Sequence, residues 1–150
     1  KEFGIFNSVE IHSRYEILNE EYAKTVHIEA LTLIDMINRQ VLPASEKYAS
    51  SLAEGLVSKK EAMPELPLRA EKCQLKKLSS LIDALYDAVS ELSLATENAE
   101  KYEGSALAHY YRENVLPLMD KARKPADELE LIVDEALWPY PTYGKMLFYV

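Results

Sequence analysis

The side chains of this sequence best suited to metal binding are its three histidines and its single cysteine. In helical di-iron sites a glutamate stands three residues before each ligating histidine, and none of His12, His27 and His109 has one there. Zinc sites need a second histidine or cysteine at ligand spacing, which the sequence also lacks. We therefore predict no metal site in this chain.

Cys73 is the one residue that could act as a thiol nucleophile. It stands among several lysines near the start of a predicted helix, and both features favour the reactive thiolate. No histidine is close in sequence to act as its base, so we interpret Cys73 as an ordinary buried or half-exposed residue. A single cysteine also excludes an internal disulfide and fits a reducing cytosol.

His109 could carry a phosphoryl group, because phosphotransfer needs an exposed imidazole with a basic neighbour, and Arg112 follows three residues later. The simpler interpretation is a surface histidine beside two tyrosines. The four scattered glycines form none of the glycine-rich loops that bind phosphate. The sequence thus predicts no catalytic, cofactor-binding or metal-binding residues, and phosphotransfer at His109 is kept only as an alternative.

The charge of the chain limits its partners. Asp and Glu number 25 against 17 Lys and Arg, which gives a net charge of −8. Nucleic acids and anionic membranes bind cationic surfaces, so neither is expected as a partner. No apolar run approaches the about 20 residues of a membrane span. Because the chain begins at Lys1 rather than Met, we interpret it as a piece of a longer protein, with a processed mature chain as the alternative.

Long glycine-free stretches rich in Ala, Leu, Glu and Lys predict an all-α fold. We expect an antiparallel up-down bundle of three long helices, at about residues 8–60, 68–102 and 105–137. Pro43 and Pro117 fall inside the first and third helices, and each could kink its helix or break it, which would give four helices. Residues 1–137 would form the bundle, and residues 138–150 an extended tail of the same domain.

Helical periodicity supports this division. Asn7 and Glu10 have the spacing of a capping box at the start of the first helix. Apolar residues then recur on one face of that helix, at Tyr15, Leu18, Tyr22, Val26, Ala30, Leu33, Ile37, Val41, Ala44, Tyr48 and Leu52. The second helix carries a heptad-like seam at Leu75, Leu78, Ile82, Leu85, Val89 and Leu92, with polar Thr96 at the next position.

One short pattern occurs twice. Residues 38–43 and residues 112–117 each consist of three polar residues followed by Val-Leu-Pro. Either the two prolines kink their helices at similar heights in the bundle, or the similarity is a coincidence of common residues.

The last residues differ in kind from the helices. Prolines in Trp138-Pro139-Tyr140-Pro141-Thr142-Tyr143 favour extended backbone, and an apolar stretch follows. These residues either form an interface with another protein surface or close the end of their own bundle. The candidate interface residues are Trp138, Tyr140, Tyr143, Leu147 and Phe148.

Two groups of residues carry a family resemblance. The first comprises Gly4-Ile5-Phe6, Ser13-Arg14-Tyr15-Glu16-Ile17, Glu21-Tyr22, Ile28-Glu29-Ala30 and Val41-Leu42-Pro43-Ala44. The second is Trp138-Pro139-x-Pro141-x-Tyr143 followed by Leu147-Phe148. In this order, and separated by the heptad-rich middle, they resemble the C-terminal helical region of type III glutamine synthetases, the long bacterial form of that enzyme.

The resemblance implies a parent enzyme that joins ammonia to glutamate with ATP and Mg or Mn, as a large ring-shaped oligomer in the cytoplasm. It places catalysis in another region of the parent, so no cofactor belongs to this segment. Its partners would be the catalytic domain of the same chain and the other subunits, and its role would be structural, in assembly or in regulation. The alternative is a free-standing helical interaction module.

Overall fold

The computed structural model describes residues 6–147, apart from the side chain of Tyr143. Within that range the chain is all-helical and contains no strand. It forms four helical runs, of which three are long. Their segments, in chain order, are α1 (Ser8–Met36), a π-helical turn (Ile37–Val41), α2 (Leu42–Ala62), α3 (Arg69–Asn98), a 3-10 turn (Ala99–Lys101), α4 (Gly104–Tyr110), a second π-helical turn (Tyr111–Val115), α5 (Leu116–Glu130) and α6 (Tyr143–Leu147).

The first long helix begins at the predicted cap. The backbone N–H of Glu10 donates to Oδ1 of Asn7 at 2.8 Å, and the backbone N–H of Asn7 donates to Oε2 of Glu10 at 2.8 Å. This reciprocal pair satisfies two donors that a helix start otherwise leaves open. The capping box predicted from the sequence is therefore confirmed.

Neither proline breaks its helix, and a π-helical turn precedes each one. The backbone N–H of Leu42 donates to the carbonyl of Ile37, and that of Leu116 donates to the carbonyl of Tyr111, so both bonds reach five residues back instead of four. Proline has no N–H and its ring crowds the preceding turn. The wider π turn accommodates that ring, and the helix continues beyond it.

The repeated sequence pattern therefore has a structural counterpart, because residues 38–43 and 112–117 each overlap a π turn and the proline after it. The two turns do not share a core cluster, however. Ile37 and Val41 are buried with residues of α2, α3 and α5, whereas Tyr111 and Val115 are buried with residues of α1 and α3. The two similar motifs thus belong to two different core clusters.

The second long helix, α3, connects both core clusters. Leu78, Leu85 and Leu92 on its predicted seam are each 0% exposed. Leu78 and Leu85 belong to the cluster with α2 and α5, and Leu92 belongs to the cluster with α1 and the second π turn. Thr96 is also buried, and its hydroxyl donates to the carbonyl of Leu92 at 2.8 Å. A polar residue is tolerated at this seam position because its hydrogen bond is made within the helix.

The N-terminal arm, which we define as residues 8–22 of α1, departs from the predicted bundle. The apolar face that the sequence shows on the first helix begins at Tyr15, but Ala23 is the first buried residue of α1. Ala23 packs in one cluster with Ala99, the first residue of the 3-10 turn that follows α3. The arm lies N-terminal to this contact. Tyr15, for example, remains 49% exposed because no helix of the described chain covers its face of the arm.

The third long helix ends at Glu130, before the expected end near residue 137. The backbone N–H groups of Ile132 and Val133 both donate to the carbonyl of Leu129, which tightens and closes the last turn. Oδ1 of Asp134 then accepts the backbone N–H of Ala136 and starts a separate turn. The tail was expected to be extended throughout, but α6 forms within it. No helix of the described chain is long and apolar enough to cross a membrane.

Candidate functional site

The histidines do not converge on a site. His12 contacts Glu16 on the exposed surface of the arm, with Nε2 and Oε1 3.1 Å apart. His27 contacts Tyr111, His109 is exposed beside Arg112, and Cys73 is exposed on α3. Among residues 6–147 no group of three or more His, Cys, Asp or Glu side chains could hold a metal ion. Those described residues therefore offer no ligand set for the Mg or Mn that the family resemblance implies for a parent enzyme.

The contact between His27 and Tyr111 joins α1 to the second π turn. The Tyr111 hydroxyl and Nδ1 of His27 share a hydrogen bond of 2.7 Å, and the two rings meet edge to face with centroids 5.9 Å apart. Tyr111 is only 3% exposed. Burial, with smaller contributions from Tyr110 and Glu100, raises the pKa of the Tyr111 phenol. The hydroxyl therefore remains a neutral hydrogen-bonding group, and its role is to hold two helices together.

Replacing Tyr111 with phenylalanine is expected to lower the free energy of unfolding by about 1 kcal/mol, because it removes one hydrogen bond and retains the buried ring. Chemical denaturation of both proteins at neutral pH measures the difference. Tyr86→Phe is the matched control, because Tyr86 is 61% exposed and should change stability little. Equal effects of the two substitutions would contradict a stabilising bond to His27.

The alkaline pH dependence provides a second readout of the same residue. Because the folded chain raises the pKa of Tyr111, folding favours the neutral phenol, and this contribution is complete below the unfolded value near 10. As the pH rises above that value, stability is lost. The Tyr111→Phe protein should lose less stability than the unsubstituted protein over that range.

A cavity of about 350 Å³ lies at the base of the arm, where α1 meets α4. Asn19, Tyr22, Ala108, His109 and Arg112 line it. The structure thus brings His109 and Arg112 together, as a phosphotransfer site would require, and phosphotransfer stays a prediction. Sequence reasoning missed Asn19 and Tyr22, because their nearness to α4 depends on how two distant helices pack.

The aromatic residues of the tail fold back onto the chain. Trp138 and Tyr140 are half-buried and pack against the core cluster of α2, α3 and α5. Leu147 is 77% exposed on α6. Of the remaining candidate interface residues, Phe148 and the side chain of Tyr143 lie outside the described part of the structure. Of the three candidates whose side chains the structure describes, only Leu147 is mostly exposed.

The tail instead borders a cleft of about 540 Å³, which we call the tail cleft. Nζ of Lys145 and Oε1 of Glu135 lie 2.7 Å apart at its edge. The Tyr140 hydroxyl is buried and has no hydrogen-bond partner within residues 6–147, and burial, with a smaller effect of Asp35, raises the pKa of its phenol. The residues that line the cleft are Glu135, Trp138, Tyr140, Pro141, Lys145 and Met146.

The tail cleft has an apolar wall and one ion pair at its edge, and its lining residues include no His, Cys, Ser or Thr. Trp138, Pro141 and Met146 form the apolar wall. These are features of a contact surface. The sequence identified the aromatic residues, whereas Glu135 and Lys145 could have been found only from the turn that brings them together.

Comparison with known proteins relates the whole chain to one enzyme. Residues 1–60 match the family model described as the glutamine synthetase C-terminal domain. Over 97% of its length the chain is 40% identical to a glutamine synthetase of Butyrivibrio fibrisolvens, and over 98% it is 32% identical to a type-3 glutamine synthetase of Dictyostelium discoideum. It is also 31% identical over 96% of its length to a glutamine synthetase of Bacteroides fragilis. The chain spans about a fifth of the length of these relatives, at 21%, 21% and 20%.

Proposed function

This chain belongs to the C-terminal domain family of the glutamine synthetases, and from that premise we propose that it is a non-catalytic helical domain of a type III enzyme. Its role in that enzyme is structural and concerns assembly or regulation. The parent joins ammonia to glutamate with ATP and Mg or Mn, and it does so in another part of the polypeptide. One observation carries the proposal: the chain aligns over 97% of its length with a synthetase of which it represents only 21%.

The arrangement of the side chains supports a non-catalytic role. His12, His27 and His109 lie in three separate environments. His109 lines one cavity with Arg112, and His27 lines another with Lys24. The tail cleft offers apolar walls and a phenol, which suit contact with a protein surface better than chemistry on a nucleotide. The exposed single cysteine fits a reducing compartment, and we assign the enzyme to the cytoplasm.

In this domain we propose an antiparallel up-down arrangement of the three long helices. Short connections support it, because residues 63–68 separate α2 from α3 and residues 102–103 separate the 3-10 turn from α4. α3 packs against α2 and α5 in one cluster and against α1 in the other. Such a bundle presents the arm and the tail cleft as separate surfaces, which suits contacts with the catalytic domain and with other subunits.

The alternative of a free-standing interaction module predicts a different gene. A start codon close to the codon for Lys1 would support that alternative, whereas a long upstream coding region with synthetase motifs would support the proposal. Sequencing the upstream region therefore separates the two before any protein is made.

The function is tested with the full-length protein and with a version that lacks the segment equivalent to residues 1–150. We expect the full-length protein to form glutamine from glutamate, ammonia and ATP, and the 150-residue chain to form none. Deletion should convert the oligomer to smaller species, which light scattering during size-exclusion chromatography measures.

A full-length variant with Leu94→Ala is the control, since Leu94 is 59% exposed and its neighbours Ser90, Glu91, Glu97 and Asn98 on the helix surface are polar. This variant should keep the mass and the activity of the unsubstituted enzyme. Glutamine formation by the isolated chain would contradict the proposal. An unchanged mass and activity after the deletion would contradict it as well.

A further inference from the structure

The N-terminal arm carries an apolar stripe that is largely exposed and that meets another described helix only at its last residue, Tyr22. The stripe consists of Ile11, Tyr15, Leu18 and Tyr22, which follow one another at spacings of four, three and four residues and so share one helix face. Their exposed fractions are 56%, 49%, 65% and 36%. Single exposed apolar residues are common, but four in a row on one face are typical of a surface that is buried against a partner.

The stripe leads into the cavity at the base of the arm. Tyr22 belongs to both, and the cavity continues from it to His109 and Arg112 on the third long helix. Arg112 makes no ion pair within residues 6–147. A partner that covers the stripe would therefore meet a free guanidinium at one end, and a carboxylate is the group that pairs best with it.

A second copy of the chain fits this surface poorly. The arm contains Glu10, Glu16, Glu20 and Glu21 against a single Arg14, so its net charge is 1 − 4 = −3. The whole chain carries −8. Two arms packed together would bring like charges into contact, which costs binding free energy at ordinary ionic strength.

The catalytic part of the enzyme is a better occupant. The relatives are about five times as long as this chain, so most of the surface of such a polypeptide lies outside these 150 residues. A surface on the same polypeptide is also present at high effective concentration, which favours contact even for a modest interface. This reasoning depends on the proposed function, because it requires a synthetase parent.

We propose that the arm docks onto the catalytic part of the same polypeptide. The stripe from Ile11 to Tyr22 packs against an apolar surface there, and an acidic residue of that surface enters the cavity and pairs with Arg112. The arm would then be the element that fixes the position of this domain on the enzyme.

The test compares two engineered cysteines in the full-length enzyme. Leu18→Cys lies on the stripe, and Leu94→Cys is the matched control on α3, with a similar exposed fraction of 59%. Both are labelled with a maleimide, and the rate at each position is measured by peptide mass spectrometry. We expect Leu18→Cys to react at least about tenfold more slowly than Leu94→Cys in the full-length enzyme, and at a similar rate in the 150-residue chain.

A second variant tests the ion pair. Arg112→Glu in the Leu18→Cys background should restore fast labelling, because it places a carboxylate against a carboxylate. Lys124→Glu is its control, since Lys124 is exposed on α5 and does not line the cavity at the base of the arm, and it should leave the labelling slow.

The results separate this inference from the proposed function. Equal labelling of the two cysteines in a full-length protein that forms glutamine would overturn docking of the arm and leave the synthetase role intact. Protection of Leu18→Cys in the 150-residue chain that increases with concentration would assign the stripe to self-association and overturn the inference. A full-length protein without synthetase activity would overturn the proposed function itself.

Discussion

Replacing Leu85 with alanine is expected to lower the free energy of unfolding by about 3 kcal/mol. The side chain is 0% exposed and belongs to the cluster in which α3 meets α2 and α5. Removal of its methyl groups forfeits their burial and leaves a cavity that three packed helices can fill only in part. Chemical denaturation followed by circular dichroism measures the loss.

Leu94→Ala is the control for this prediction. Leu94 is in the same helix but 59% exposed, so its substitution should change stability by less than about 0.5 kcal/mol. Alanine and leucine both favour helices, so helix propensity contributes little to either measurement. Similar losses at the two positions would mean that the seam of α3 is not the centre of the core.

The contrast between α3 and the arm explains what the sequence could predict. Both carry apolar stripes with helical spacing, and the predicted seam at Leu78, Leu85 and Leu92 is buried. Tyr15 and Leu18 have equally regular spacing but remain exposed. An apolar stripe identifies which face of a helix packs against another element, but it does not identify that element. α3 has neighbours in this chain along both clusters, whereas α4 meets the arm only at its base, near Asn19 and Tyr22.

The prolines show a second limit. Pro43 and Pro117 indicate from the sequence that each helix must adjust, because a backbone donor is missing. The form of the adjustment depends on which residues the core holds in place. Burial of Ile37 and Val41 on one side, and of Tyr111 and Val115 on the other, keeps the helix in register through a π turn. A break would have exposed these residues, and the sequence alone does not show how much free energy that exposure would cost.

The end of the third helix shows the same dependence on local detail. Apolar spacing continues past Glu130, and the sequence therefore favoured a helix to about residue 137. β-Branched Ile132 and Val133 lower the helix propensity there, and the side chain of Asp134 offers a competing hydrogen bond to the backbone N–H of Ala136. Together they turn the chain and bring Trp138 back to the core.

Truncation after Leu137 is expected to lower the free energy of unfolding by about 3 kcal/mol, because it removes two large aromatic side chains from partial burial. Trp138 and Tyr140 both pack against the cluster that contains Leu85. Truncation after Thr142 is the matched control, since it removes α6 and keeps both aromatic residues. Met146 is 57% exposed and Leu147 is 77% exposed, so this shorter cut should cost less than about 1 kcal/mol.

The two truncations decide between the uses of the tail that the sequence left open. A large loss after Leu137 with a small loss after Thr142 assigns Trp138 and Tyr140 to the chain's own core, and leaves the outer wall of the tail cleft as the part available to another subunit. A small loss in the free energy of unfolding after both truncations would mean that the aromatic residues contribute little to folding. Their apolar surface would then be available to bind a partner. The same truncations in the full-length enzyme should then change the oligomer mass without a matching change in the melting temperature of the bundle.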